Sequence, residues 1–148
     1  MYLLSVLTSV KSHPLTFSSD IWTLVRTIWD IISQKPLFEG PFANEDNVTC
    51  QQISVLDLLP TEWWEEWEGR RDKFSGHGEQ EERCRSQYKS WENCFETTVQ
   101  QPRMKEGRPH FESCERDALF PMLRSMLCFR PENRSSAQQV LESEWMVK

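Results

Sequence analysis

The sequence predicts a mainly α fold, a helical bundle around one central buried helix with no β-sheet, and three observations carry that expectation. Residues 18–33 place Ile21, Leu24, Val25, Ile28 and Ile32 at the three-four spacing of one helix face, and Trp22, Trp29 and Ile31 widen the face until little polar surface remains. Leu119, Met122, Leu123, Met126 and Leu127 repeat the pattern near the end of the chain. Between and after them, prolines, glycines and capping residues divide the chain into short helical runs.

The segment 1–17 reads as a leading segment, mixed apolar and polar, with His13-Pro14 turning the chain toward the main helix. Met1 to Val10 is apolar but lacks a basic n-region and a small-x-small cleavage site, so an ordinary buried segment is expected there, not a signal peptide. Ser18 and Ser19 can cap the main helix and Asp20 places negative charge at its positive end. Gln34-Lys35-Pro36 ends it. A helix of about 14 residues at ~1.5 Å per residue spans ~21 Å, too short to cross a bilayer.

Residues 36–47 contain Pro36, Gly40, Pro41 and Asn44 and read as a loop. Residues 51–59 then form a short amphipathic helix stopped by Pro60. Thr61 is placed to cap a second short helix, Glu62-Trp63-Trp64-Glu65-Glu66-Trp67-Glu68. The polar segment at 69–93 is expected to be exposed and partly mobile, its far end pinned by Tyr88, Trp91 and Phe95. Residues 100–107 read as another loop. In the next helix Pro121 is tolerable only in the first turn, since deeper inside it costs ~3 kcal/mol or more, so that helix is expected to start late or bend. Ser135 and Gln138 have capping-box spacing ahead of a last helix of about ten residues.

The totals limit the function. The chain has 148 residues, 38% hydrophobic with seven Trp and eight Phe, enough for one modest core. A net charge of −6 argues against a nucleic-acid backbone as partner and suits basic or Arg-rich peptides. Five cysteines without paired short spacings suit reduced thiols in an intracellular protein, in cytoplasm or nucleus. His13, His77 and His110 stand at no zinc-ligand spacing, and no metal site or membrane partner is expected. The sequons at Asn47 and Asn133 matter only in a secreted chain.

Two stretches carry a resemblance. Ser19-Asp20-Ile21-Trp22-Thr23-Leu24, then Ile28-Trp29-Asp30-Ile31-Ile32 and Pro36-Leu37-Phe38, resembles the pattern S-D-x-W-S-L-G-x-x-x-x-E-[LIM] then P-L-F of the large central helix in the C-terminal lobe of eukaryotic protein kinases. Val25 stands for the usual Gly and Asp30 for the usual Glu. Leu123 to Ala137, then Val140 to Met146, resembles the closing pattern M-L-x-x-D-P-x-x-R-x-[ST]-A-x-x-[LVI]-L-x-H-x-W, with Arg130 for the usual Asp and Ser143-Glu144 for His-Pro. Order and spacing, with an acidic Trp-rich segment between, are most similar to the fungal SR-protein-kinase-like group. The resemblance implies a partial protein-kinase-like C-lobe over 18–148 with no kinase N-lobe sheet. It also implies structural roles for Asp20, Trp22 and Arg134: in the family the matching Asp braces the catalytic loop, and the matching Arg pairs with the Glu of an Ala-Pro-Glu motif.

Phosphoryl transfer needs a Gly-rich loop, a strand Lys, a catalytic Asp with its Asn, and a metal-binding Asp-Phe-Gly. None occurs in these 148 residues. Arg70-Arg71-Asp72 follows the main helix instead of preceding it, and His77 stands where the Asn belongs. No catalytic, ATP-binding or metal residue is therefore assigned, and no cofactor, although the intact family uses ATP and Mg. The family reaction is ATP-dependent phosphorylation of Ser and Thr; this chain alone is expected to be inactive. No Glu precedes Glu39, so a buried Arg134 would lack its family partner at a cost of ~3–5 kcal/mol, unless it is solvated. Two alternatives stand beside this reading. One is a non-catalytic module holding an Arg/Ser-rich peptide on Glu62, Glu65, Glu66, Trp63 and Trp67, against the plainer view that the tryptophans are core and the glutamates a solvated face. The other is a part of an active kinase whose gene model is truncated.

Overall fold

A computed structural model of the chain describes residues 16–33, 35–38, 44–57, 59–74 and 90–147. These residues are mainly helical, and no strand or sheet occurs among them. The chain divides into two compact bodies, one spanning residues 38–92 and the other residues 15–37 and 93–148. The expectations for residues 1–15 and for Tyr88 lie outside the described residues, as does most of the polar segment at 69–93.

The second body is built on helix α1, Phe17–Ile32. Its start lies earlier than the serines suggest. Thr16 is the cap residue, and the Ser19 hydroxyl accepts the Thr16 N–H at 3.5 Å. At the other end the Ser33 N–H bonds the Trp29 carbonyl at 2.9 Å. The helix buries only one face, Ile21, Trp22, Val25 and Trp29. The expectation of burial nearly all round is corrected here: Leu24 is 42% exposed and Ile31 77%. A face at positions 21, 22, 25 and 29 already satisfies the helical period, so Phe17, Leu24 and Ile31, spaced by seven, fall on a different strip.

Helix α7, Ser113–Met126, packs against α1 and carries the predicted stripe: Leu119, Met122, Leu123 and Met126 are buried, with Leu127 just beyond. It begins well before Pro121, which sits inside the helix and neither starts nor ends it. Pro121 and Asp117 are both exposed, so the carbonyl that loses its partner faces water. Each buried apolar side chain contributes about 1.5–3 kcal/mol, so the stripe outweighs a proline cost of about 3 kcal/mol.

Residues 91–105 also depart from expectation, because the loop predicted over 100–107 is largely helix. Helix α5, Trp91–Phe95, runs into a π-helical turn, Glu96–Gln100, and then α6, Gln101–Lys105. Pro102 explains the change of register, since it cannot donate to a regular ladder; the Gln101 N–H reaches back five residues to the Glu96 carbonyl. The Thr98 hydroxyl bonds the Cys94 carbonyl at 2.7 Å, occupying an acceptor within the distorted turn. Gln100 then clamps Phe111 with two bonds, its amide donating to the Phe111 carbonyl at 2.8 Å and its oxygen accepting the Phe111 N–H at 2.9 Å. Phe95 meets Trp29, Phe111 and Phe120 edge-on, with centroids 6.3, 5.6 and 4.9 Å apart, each pair contributing about 0.5–1.5 kcal/mol.

After a 3-10 turn, Pro131–Asn133, the expected ten-residue final helix divides into α8, Ala137–Leu141, and α9, Glu144–Val147. Its capping box lies one residue later than predicted: the Gln139 side chain accepts the Ser136 N–H at 2.8 Å and the Ser136 hydroxyl accepts the Gln139 N–H at 3.3 Å. Val140 is buried, whereas Leu141 is 58% exposed.

In the first body, helix α2, Glu45–Leu56, begins inside the predicted loop and ends before the predicted stop. The Asn44 side chain accepts the Asn47 N–H at 2.8 Å, and Glu45 and Asp46 follow in the first turn, a complete start signal. Asp57, at φ 86°, ends it. Helix α3, Thr61–Glu66, makes Thr61 its first helical residue, with Pro60 as the cap. A single turn, α4, Arg70–Lys73, follows.

Candidate functional site around Arg134

Arg134 lies beyond the 3-10 turn, where the chain straightens before α8. Its guanidinium donates in three directions: from Nε to the Cys128 carbonyl at 2.8 Å, from Nη2 to the Phe129 carbonyl at 3.0 Å, and from Nη1 to the Ser18 carbonyl at 2.8 Å. The first two acceptors belong to the turn that follows α7. The third lies in the first turn of α1, 116 residues away in sequence. The planar group also sits over the Trp22 ring, 4.8 Å from its centroid. A lysine has no such fork and could not serve all three acceptors at once.

Desolvation by burial lowers the pKa of Arg134 from its ordinary value, while Cys128 and Glu132 act in the opposite direction. The group stays charged at any ordinary pH. Arg134 is thus neither the fully solvated side chain nor the buried, unpaired charge that the sequence suggests. Backbone carbonyls, not a carboxylate, hold it.

Beside this junction runs a groove of about 740 Å³ between the start of α1 and residues 131–138. Phe17, Ile21 and Leu24 form one wall, and Pro131 and Ala137 the other; Asp20, Glu132 and Arg134 add charge. Asp20 is exposed, and among the described residues no hydrogen bond or ion pair engages its carboxylate. Of the three family structural positions, Trp22 and Arg134 meet directly, and Asp20 lines the groove next to them. The wall residues Phe17 and Leu24 were missed as site residues because they lie in an apolar run that looks like core. Their sevenfold spacing was the available signal.

The acidic helix has a different character. Glu62, Glu65 and Glu66 are exposed, whereas Trp63 is buried and Trp64 and Trp67 are half-buried. Trp64, Trp67 and Phe74 form an edge-on cluster with centroids 4.9–6.0 Å apart. The Trp67 indole N–H donates to Asp46 Oδ1 at 2.6 Å, and Arg70 donates to the Trp64 carbonyl. The tryptophans therefore serve packing, and the glutamates face water. Gly69 completes the arrangement, because a Cβ there would collide with the Asp46 side chain.

Among the described residues no group of three or more His, Cys, Asp or Glu is placed to hold a metal, and no helix is long and apolar enough to cross a membrane. Cys50 is buried, Cys94 and Cys128 are half-buried and Cys114 is exposed.

No family model matches the chain. Two curated proteins of Aspergillus fumigatus are similar to it, one from strain CBS 144.89 / FGSC A1163 / CEA10 and one from strain ATCC MYA-4609 / CBS 101355 / FGSC A1100 / Af293, each named a serine/threonine protein kinase. Each is 24% identical over 136 residues, which is 89% of this chain and 31% of the relative. The chain thus spans about a third of the length of these relatives, and it is distantly related to fungal proteins named serine/threonine protein kinases.

Proposed function

We propose that residues 18–148 are part of the C-terminal lobe of a Ser/Thr protein kinase of the SR-protein-kinase-like group, and that this stretch transfers no phosphate by itself. The observation that supports it best is the Arg134 junction. The two stretches that carry the kinase resemblance are far apart in sequence, yet Arg134 of the second covers Trp22 of the first and bonds the carbonyl of Ser18 just ahead of it. A chance similarity of two short patterns gives no reason for them to meet. Inactivity follows from chemistry: the 148 residues contain no Gly-rich loop, no Asp-Phe-Gly and no His-Arg-Asp to hold ATP, Mg and the substrate hydroxyl. Where the remaining two thirds of a relative's length accompany this stretch, the same junction would form the helical base of an active kinase, in cytoplasm or nucleus.

The test is to incubate the purified chain with radiolabelled ATP, Mg and an Arg-Ser repeat peptide. No transfer above a protein-free blank is expected; transfer that co-purifies with the chain would overturn the proposal. Reading the transcript upstream of Met1 for His-Arg-Asp, Asp-Phe-Gly and Ala-Pro-Glu separates the isolated stretch from the longer kinase.

A second reading is a module that binds an Arg/Ser-rich peptide through the exposed Glu62, Glu65 and Glu66. With Trp63 buried and the Trp67 indole bonded to Asp46, this docking would rest on charge, not stacking. Titration of an Arg-Ser repeat peptide against wild type and the Glu65→Lys, Glu66→Lys pair decides it; equal affinities remove the reading.

A further inference from the structure

We draw no further inference here: the strongest candidate, the exposed Cys114 thiol in the first turn of α7, is a lone cysteine at a helix start, and nothing among the described residues points to a ligand beside it.

Discussion

The segment from Asn44 to Phe74 and the pair of helices α1 and α7 solve the same problem by different means. In the first, the ties are close in sequence: Asn44 caps its own helix, Trp67 bonds Asp46 twenty-one residues back, and Gly69 leaves room for that carboxylate. In the second, the decisive tie runs from Arg134 to Ser18 across 116 residues, on top of an apolar interface. A segment closed by short-range bonds can hold its form with few buried side chains. A junction closed by one long-range side chain depends on that side chain, and it brings together the patterns that relate this chain to kinases.

The largest effect should come from Trp22→Ala, which removes a side chain 3% exposed together with the face that Arg134 covers. A loss of about 3–5 kcal/mol in urea unfolding is expected. Arg134→Ala should follow at about 2–3 kcal/mol, because three partly buried carbonyls lose a charged donor, and Arg134→Lys should recover little of it. In the first body, Gly69→Ala should cost about 1–3 kcal/mol by crowding Asp46, and the double variant with Asp46→Ala should relieve the clash. Amide exchange within residues 44–74 would read this locally. Asn44→Ala should cost about 1 kcal/mol by uncapping α2. Glu65→Lys should change stability by less than about 0.5 kcal/mol, since that side chain is exposed. If Gly69→Ala proved costlier than Arg134→Ala, the contrast between the two bodies would be reversed.

The sequence made much of this legible where apolar spacing decides the structure. The mainly α class, the existence of α1, and every member of the Leu119 to Leu127 stripe follow from helical period alone, although α1 begins at Phe17, earlier than the capping serines suggest. Its errors have physical causes. Pro121 suggests a late start or a bend and residues 100–107 a loop, but the chain accepts Pro121 inside α7 on a water-facing side and Pro102 after a π turn. Residues 36–47 read as a loop by their prolines and glycine, although Asn44 with Glu45 and Asp46 after it is a helix start. Pattern strength could not show that Leu24 and Ile31 face solvent, because an apolar residue outside the buried stripe looks the same in sequence as one within it. At the site, residue identity marked Asp20, Trp22 and Arg134; the carbonyl acceptors of Arg134 could not be read, since any residue type supplies a carbonyl.

The most direct test of the Arg134 junction is a double-mutant cycle with Trp22→Leu and Arg134→Met, measured by urea unfolding of the two single variants and the double variant. A coupling of about 1–2 kcal/mol between the two positions is the expected result, from the cation held over the Trp22 ring. Additivity within about 0.3 kcal/mol would mean that the two kinase-like stretches do not meet there, and would contradict the account.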